Sequence, residues 1–305
     1  MVIDVHTHVF PCLAGRVGAG PVTGISYGRA RIGDQPTQLL PPLAETLAFP
    51  SPALIAHLDW AGVSRAVLLQ GPFYGECNAY VAEAVRRYPE RLVAAACIDP
   101  WGQSREQLEA LVTAPEFRAA KIEFSVPSGL CGLYPQARLG APDLTWLWRD
   151  LAAHGKRLVL DLGTAGTAAY QTGAVRRIAE AHPDLRVIIA HLGQPRPQVL
   201  ATAALRTAWE EQIDLGRLAN VWFDSAALPA YLPQETVPFP TAAEYLRRAC
   251  DRIGAARIMW GSDIPGLLTW ATYPQLVQMA RAHSDFMTAS EQAAFLAGTA
   301  LQVWG

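Results

Sequence analysis

Residues 3–8 of the chain read IDVHTH, a mainly apolar run that leads into two histidines separated by one residue. Successive side chains of a β-strand point to opposite faces, so residues two apart share a face. If this stretch is a strand, His6 and His8 project together near its carboxyl end. Two imidazoles on one rigid strand supply half of a metal site, although an ordinary surface strand can carry the same pair.

Eight short apolar runs, the first of which contains this stretch, are spaced along the 305-residue chain. Each is rich in Val, Ile, Leu or Ala and nearly continuous, as is typical of parallel strands buried on both faces. Patterns typical of amphipathic helices lie between them. Strand and helix alternating eight times predict an α/β fold, a single-domain (β/α)8 TIM barrel. The runs cover residues 2–8, 65–70, 92–99, 119–124, 157–162, 186–191, 220–224 and 257–263.

A doubly wound open sheet is the alternative fold. It would normally carry a glycine-rich phosphate-binding turn after its first strand, whereas residues 6–10 read HTHVF here. The barrel is therefore favoured. Ser104, Thr241 and Thr288 are each followed three residues later by Gln or Glu, a pattern that predicts capping boxes at the start of three helices.

The segment between the first strand and residue 52 is unusually dense in Gly and Pro. Loops that follow barrel strands form the catalytic face of a TIM barrel, and long loops there often cover the site. We therefore predict that residues 9–52 are a lid or substrate-covering insertion within one domain that spans residues 1–305. The segment carries three arginines that could face a substrate, Arg16, Arg29 and Arg31.

Composition limits the classes of function. Hydrophobic residues make up 51% of the chain and charged residues 17%, which indicates a globular protein with a large core. A net charge of -2 gives no electrostatic reason to expect a nucleic-acid or anionic-membrane partner. The five scattered cysteines argue against a disulfide framework or a zinc ribbon. With no apolar run of about 18 residues and no leader before His6, we predict a cytoplasmic protein.

Polar residues stand at or near the carboxyl ends of all eight runs. In a TIM barrel these ends meet at one mouth, where catalytic residues from several strands lie together. Burying each such group without a partner costs about 1–3 kcal/mol, so a purely structural origin for all of them is hard to sustain. The sequence thus predicts a functional site formed by His6, His8, Gln70, Asp99, Glu123, Asp161, His191, Asp224 and Asp263.

Three motifs in this order give the chain a family resemblance: DVHTH at residues 4–8, AHLG at 190–193 and GSDIP at 261–265. Residues 220–224 and 298–300 fit more loosely. The chain resembles the amidohydrolase superfamily, in the amidohydrolase-2 branch that includes aminocarboxymuconate-semialdehyde decarboxylase and several lactonases. The resemblance covers nearly the whole chain, and it is specific for the superfamily but weak on substrate.

The resemblance implies a role for several residues. His6 and His8 match the metal ligands of the first strand, and Asp263 matches an aspartate that binds metal and handles the proton of the metal-bound water. His191 matches a histidine that polarises substrate or acts as acid and base. Asp161 stands where the family usually has a metal-binding histidine. We predict that Asp161 is a ligand, directly or through water, although the alternative is a site that has lost its metal.

The expected cofactor is one divalent metal ion. Zinc is favoured, and an oxygen ligand in place of nitrogen makes manganese or iron the alternatives. Lys121 and Glu123 lie two residues apart on one strand face, so they form a buried ion pair or touch substrate. Arg196 is a candidate clamp for a substrate carboxylate. We predict Lys121, Glu123 and Arg196 as substrate-binding residues.

The leading functional prediction is a metal-dependent hydrolase of a small-molecule lactone, cyclic ester or amide, which attacks with a metal-activated water. The alternative is a non-oxidative decarboxylase of an aromatic or unsaturated carboxylic acid. A second alternative is a metal-free barrel with a binding role. The expected partner is a small-molecule substrate, for which a carboxylate is a candidate, and the sequence leaves homo-oligomer formation open.

Overall fold

The computed structural model describes residues 1–18 and 20–305, and its strands form two sheets. Eight parallel strands make a barrel in which neighbours along the chain are neighbours in the sheet, and four antiparallel strands make a smaller sheet. In chain order the strands are β1 (Ile3–Thr7), β2 (Ala14–Val17), β3 (Gly20–Gly24), β4 (Arg29–Ile32), β5 (Gln35–Gln38), β6 (Arg65–Leu68), β7 (Leu92–Cys97), β8 (Phe117–Glu123), β9 (Arg157–Asp161), β10 (Arg186–Ile189), β11 (Val221–Asp224) and β12 (Ile258–Met259).

Helices surround the barrel and connect its strands. None of the helices in the described part of the chain combines the length and hydropathy needed to cross a membrane. The helices are α1 (Ser51–Ala61), α2 (Asn78–Arg87), α3 (Arg105–Thr113), α4 (Leu130–Leu133), α5 (Thr145–Ala153), α6 (Thr172–Ala181), α7 (Pro197–Ala201), α8 (Ala203–Ile213), α9 (Pro240–Ile253), α10 (Tyr273–His283), α11 (Ala289–Ala293) and α12 (Thr299–Trp304).

The first and last barrel strands meet through the segment that follows β12. The backbone N–H of Asp263 donates to the carbonyl of His6 at 2.8 Å, and that of His8 donates to the carbonyl of Ile264 at 2.9 Å. These bonds join the two edges that an open sheet would leave unpaired. The (β/α)8 barrel prediction is therefore confirmed, and the doubly wound alternative is wrong.

The barrel interior is apolar towards the amino ends of the strands and polar towards their carboxyl ends. Ala119 and Val159 belong to the buried inner cluster, which the C-terminal helix α12 closes with Trp304. Side chains of one strand face repeat every second residue. Lys121 and Asp161, each two residues further along, therefore stand directly above the apolar layer.

An irregularity in β1 sets the direction of its histidines. The pairing of β1 with β6 shifts register between Asp4 and Thr7, and Val5 belongs to the inner apolar cluster. Strict alternation would then turn His6 away from the interior. A local bulge of this kind re-aims side chains next to active sites, and here both His6 and His8 face the barrel mouth.

Asp4 fastens β1 to the segment after β12. The carboxylate is fully buried, and one of its oxygens accepts from the backbone N–H of His6 at 3.1 Å and of Ser262 at 2.9 Å. The other oxygen accepts from the Tyr273 hydroxyl at 2.8 Å and from the Ser262 hydroxyl. Asp4 thus satisfies four donors at the closure of the barrel.

We expect Asp4→Ala to lower the free energy of unfolding by about 3 kcal/mol, because each buried donor left unpaired costs about 1–3 kcal/mol. Urea unfolding monitored by circular dichroism measures this difference. Ser262→Ala is the matched variant, and its effect should be smaller since it removes one hydroxyl and leaves the carboxylate. An Asp4→Ala protein as stable as the wild type would show that these bonds do not hold the closure together.

Two of the three predicted capping boxes are confirmed. The side chains of Ser104 and Thr288 accept from the backbone N–H three residues on, at the starts of α3 and α11. The prediction at Thr241 is wrong, because α9 begins one residue earlier at Pro240, and proline is favoured at a first helical position. The Thr241 hydroxyl donates to the Glu235 carboxylate instead.

Candidate functional site

Eight of the eleven residues that the sequence predicts for the site line one cavity of about 260 Å³ at the carboxyl end of the barrel strands. Three other polar strand ends have structural partners. The Gln70 amide bonds the backbone of Val9, Asp99 accepts the hydroxyl of Tyr134, and Asp224 lies beneath the histidines. The candidates that share the cavity are His6, His8, Lys121, Glu123, Asp161, His191, Arg196 and Asp263.

Three of these side chains form a candidate metal centre. Oδ1 of Asp263 lies 2.8 Å from Nε2 of His8 and 3.8 Å from Nε2 of His6, and the three groups offer ligand atoms within 4.8 Å of one another. Burial lowers the pKa of both histidines, which favours the neutral imidazole that binds metal. Two neutral imidazoles and one carboxylate are a donor set that zinc accepts.

The clearest sign that a ligand is needed is Nε2 of His6. This atom is buried and has no hydrogen-bond partner among the described residues. Nδ1 of the same ring lies 3.1 Å from Oδ2 of the buried Asp224. A carboxylate that accepts from one ring nitrogen fixes the tautomer and leaves the other nitrogen free to bind metal. The residues therefore fit a metal ion at this position.

Asp224 also positions His191. Its Oδ1 accepts the backbone N–H of His191 at 2.9 Å, so one carboxylate contacts both a candidate metal ligand and the candidate acid. The rings of His6 and His191 lie with their centroids 4.5 Å apart. Asp224 therefore fixes the relative placement of the two histidines from beneath the cavity.

The His191 ring lies between two hydrogen-bond acceptors. Its Nδ1 is 3.3 Å from the carbonyl of Ala226, and its Nε2 is 3.3 Å from Oδ2 of Asp161. Burial alone would lower the pKa of His191, but the Asp161 carboxylate outweighs it and raises this pKa to about 10. The raised pKa favours the protonated ring, which could donate a proton into the cavity.

Asp161 faces His191 rather than the candidate metal ligands. Its Oδ1 accepts the backbone N–H of Gly163 at 2.8 Å and the side-chain amide of Gln194 at 3.2 Å. Two groups of side chains in the described part of the chain are close enough to bind one ion, and neither includes Asp161. They are His6, His8 and Asp263, and His6, His191 and Asp224. Direct or water-mediated metal ligation by Asp161 stays a prediction.

His191 lies in a turn of rare backbone conformation. His191, Leu192, Gly193 and Gln194 have φ angles of 59°, 51°, 65° and 53°, in the left-handed region that side chains other than glycine seldom adopt. A Cβ at Gly193 would lie 2.4 Å from a side-chain oxygen of Gln212. Such conformations persist only where the surroundings enforce them, and they concentrate at functional sites.

Lys121 and Glu123 form the ion pair that their spacing allows. Nζ of Lys121 lies 3.3 Å from Oε2 of Glu123, and the side chains are 1% and 11% exposed. The Ser125 hydroxyl donates to the other carboxylate oxygen at 2.6 Å. Burial raises the pKa of Glu123 to about 7. The pair is confirmed as a contact, while its role in binding substrate stays a prediction.

Arg196 is held at the cavity wall. Its Nε donates to Oγ1 of Thr164 at 3.1 Å, and its guanidinium lies 4.6 Å from the centre of the Tyr231 ring. Its Nη2 also lies 3.5 Å from Oε1 of Gln194, so stacking on an aromatic face and two hydrogen bonds restrict the side chain. The guanidinium is thereby placed to meet an anionic group in the cavity.

The family model described as Amidohydrolase matches residues 3–305. The chain belongs to this amidohydrolase family. No curated protein sequence matched the chain. Solved structures under 25% identical to this amidohydrolase nevertheless share its fold.

Three of these structures illustrate the likeness. A probable 2-pyrone-4,6-dicarboxylic acid hydrolase from Acinetobacter baumannii has a TM-score of 0.70 at 17% identity, with 100% of this chain and 99% of that chain covered. An amidohydrolase from Burkholderia multivorans with bound zinc has a TM-score of 0.64 at 18% identity, covering 100% and 99%. The 5-carboxyvanillate decarboxylase from Sphingomonas paucimobilis has a TM-score of 0.55 at 15% identity, covering 82% and 81%.

The segment predicted as a lid contains the smaller sheet of this amidohydrolase. Strands β2 to β5 form an antiparallel meander, and the backbone N–H of Arg16 ties it to the carbonyl of Pro72 at 2.7 Å. Arg16 lines a second cavity of about 400 Å³, with Asp99 and Tyr134 on its wall. The lining of the site cavity includes none of the described residues of segment 9–52, and a lid role stays a prediction.

Sequence reasoning missed several residues of the amidohydrolase site. Thr164 and Gln194 lie on loops after β9 and β10, and the Tyr74 ring packs against that of His8 at an angle of 35°, with centroids 4.5 Å apart. Glycines beside the first two, Gly163 and Gly193, signal tight turns in the sequence. They do not show that the next side chain folds back over the cavity.

Proposed function

We propose that this amidohydrolase hydrolyses a small lactone, cyclic ester or amide that carries a carboxylate. The observation that carries the proposal is the buried, unpartnered Nε2 of His6, beside Asp263 and in the same cavity as a cationic histidine. Zinc is the favoured ion, with manganese or iron as alternatives. The bound zinc of the Burkholderia multivorans relative supports this choice.

His6, His8 and Asp263 would hold the ion. A divalent ion supplies Lewis acidity there, since it acidifies a water molecule and polarises a carbonyl. Asp263 contacts both histidines through Oδ1, and its side chain is 21% exposed. We assign its carboxylate the proton that the attacking water loses.

His191 supplies the second proton transfer. Water adds to the acyl carbon, and the bond from that carbon to the ring oxygen or nitrogen breaks. The leaving atom takes a proton from His191, and the products are an alcohol or amine and a carboxylic acid, which loses its proton to solvent and becomes a carboxylate. A protonated histidine at the cavity wall is suited to this step. The proton held by Asp263 then restores the protonated state of His191.

The remaining charges of the cavity suit an anionic substrate. Lys121 lies on β8 and Arg196 on the far wall of the same cavity, and Arg is the side chain best shaped to bind a carboxylate. The cavity volume of about 260 Å³ is below the range of about 300–1,000 Å³ usual for drug-sized ligands. A monocyclic acid therefore fits better than a polymer.

Decarboxylation is the second candidate. The same cationic His191 could protonate a carbon atom from which carbon dioxide leaves, and the Sphingomonas paucimobilis relative bears the name of a decarboxylase. No other group in the cavity separates the two reactions, because both substrates are acids. The products do separate them.

The experiment is a product analysis with the zinc-loaded protein. Carboxylated lactones and pyrones, including 2-pyrone-4,6-dicarboxylate, are incubated beside aromatic acids such as 5-carboxyvanillate. Hydrolysis predicts ring-opened acids by mass spectrometry without release of carbon dioxide. Carbon dioxide from an aromatic acid, with no lactone opened, would assign the decarboxylase reaction instead.

We expect Arg196→Gln to raise the KM for a carboxylated substrate by roughly 10–100-fold, because a hydrogen bond to a charged group is worth about 1.5–3 kcal/mol. The turnover number should change much less. Steady-state kinetics on a substrate and its methyl ester provide the control. The ester lacks the negative charge, so its KM should change little in Arg196→Gln. An equal rise in KM for the acid and for its ester would exclude Arg196 as a clamp for the carboxylate.

A further inference from the structure

A continuous series of contacts crosses the cavity wall from Arg196 to His191. Nε of Arg196 donates to Oγ1 of Thr164 at 3.1 Å, and that hydroxyl donates to Oε1 of Gln194 at 2.9 Å. Nε2 of Gln194 donates to Oδ1 of Asp161 at 3.2 Å. Oδ2 of Asp161 lies 3.3 Å from Nε2 of His191.

Gln194 stands at the centre of this series. It uses both ends of its side-chain amide, and the residue is only 8% exposed. Its φ of 53° continues the left-handed turn that begins at His191. The indole N–H of Trp209 donates to the carbonyl of Leu192 at 2.8 Å, which secures the turn from behind. The strained left-handed backbone at residues 191–194 therefore places the Gln194 side chain beside Asp161.

We infer that Gln194 is a positioning residue that orients Asp161, and that Asp161 holds the His191 ring in place instead of binding the metal ion. The inference deepens the proposed function, because it takes His191 as the proton-transferring group. Nothing assigned so far gives Gln194 a role in the reaction of this chain.

The two oxygens of Asp161 show why orientation is the better assignment. Oδ1 is occupied by the N–H groups of Gly163 and Gln194, and Oδ2 faces His191. Oδ1 already accepts two N–H groups, so ligation of an ion beside His6 would have to use Oδ2, the oxygen that faces His191. We therefore assign Asp161, which stands in place of the usual histidine of β9, the task of holding His191, the proton donor of the proposed reaction, in its orientation.

The orientation has a direct consequence for catalysis. Ala226 and Asp161 hold the two ring nitrogens of His191 from opposite sides, so the ring has one preferred plane. If Gln194 is removed, Oδ1 of Asp161 loses a donor and the carboxylate can rotate. The ring of His191 then samples other planes, and productive proton transfer becomes less frequent.

The test uses the zinc-loaded full-length protein, labelled with ¹⁵N at its histidine side chains. Signals of His191 are identified by their loss in His191→Asn. Gln194→Met keeps the size of the side chain and removes both hydrogen bonds. Gln198→Met is the matched control, because Gln198 is an exposed glutamine four residues further along. Metal content is measured by elemental analysis on each protein.

We expect Gln194→Met to shift or broaden the His191 ring signals, leave those of His6 and His8 in place, and retain full zinc content. Gln198→Met should leave all of them unchanged. Once a substrate is known, kcat of Gln194→Met should fall by about tenfold while KM stays within about twofold. The fall is smaller than the 10²–10⁴-fold that a positioned acid contributes, because His191 itself is retained. Unchanged His191 signals in Gln194→Met would overturn the inference.

Two further variants keep the test decisive. Thr164→Val removes the shorter of the two hydrogen bonds that Oε1 of Gln194 accepts, leaves the one from Arg196 and does not touch Asp161. It should shift the His191 signals in the same direction, by a smaller amount, if Gln194→Met does not fold. Asp161→Asn should retain zinc. Loss of zinc from Asp161→Asn would make Asp161 a metal ligand and refute the inference. Because the signals and the zinc content need no substrate, a failure to hydrolyse any lactone would count against the proposed function alone.

Discussion

Replacing His191 with asparagine is expected to reduce turnover by roughly 10²–10⁴-fold, the range lost with a positioned acid or base. His191 is the cavity residue whose two ring nitrogens both face acceptors, so it carries a transferable proton at neutral pH. Asparagine keeps one donor for Asp161 but cannot release a proton. Steady-state kinetics on the substrate found by product analysis measure the loss.

The control for this prediction separates chemistry from folding. His154→Asn changes an exposed histidine of the barrel surface and should leave turnover unchanged. Zinc content and the thermal unfolding temperature of the His191→Asn protein should stay close to those of the wild type. Turnover within a few-fold of wild type would remove His191 from the proton-transfer step.

Removing the metal site should have the other large effect. We expect the purified protein to hold close to one metal ion per chain, and His6→Ala to hold far less, since Nε2 of His6 is a buried ring nitrogen with no hydrogen-bond partner among the described residues. Lewis-acid stabilisation is worth several kcal/mol, so activity should fall by roughly 10³-fold or more. Elemental analysis and kinetics before and after chelation measure both quantities.

The same measurement decides between a metal-dependent enzyme and a metal-free barrel. Activity lost on chelation should return when zinc or manganese alone is added. His154→Ala, at an exposed histidine, should bind metal as the wild type does. A wild-type protein with well under one ion per chain and full activity after chelation would favour the metal-free alternative.

The barrel could be predicted because the sequence signal of a strand is local and occurs eight times along the chain. Each buried parallel strand is a short apolar run, and each run ends in a polar residue such as Glu123 or Asp161. Convergence of strand ends follows from the fold itself. The order of the apolar runs was therefore enough to predict that His6, His191 and Asp263 share one cavity.

The orientation of those residues could not be predicted, because it depends on backbone irregularities. The register shift in β1 decides which way His6 points, and the left-handed turn at residues 191–194 places Gln194 beside Asp161. Neither leaves a clear periodic signal in the sequence. The family resemblance suggested that Asp161 is a metal ligand, because it stands where a metal-binding histidine is usual, whereas the contacts in the structure place it against His191.

The small antiparallel sheet shows a further limit. Residues 14–38 are rich in Gly and Pro, and such composition predicts turns and loops. Four short strands nevertheless form there, because each pairs with a neighbour, as β4 pairs with β5 across the tight turn between Ile32 and Gln35. Hydrogen bonding between neighbours outweighs weak individual propensity.

The division of the cavity between strands and loops bears on how new specificities could evolve in this barrel. Lys121 and Asp161 stand on β8 and β9, and charges fixed on strands need little reorganisation when a transition state forms. The loops at residues 71–74 and 125–128 supply much of the remaining wall. Substitutions in these loops can reshape the pocket while the charged layer and its apolar support stay intact. Selection for another substrate would thus act mainly on residues whose replacement costs little stability.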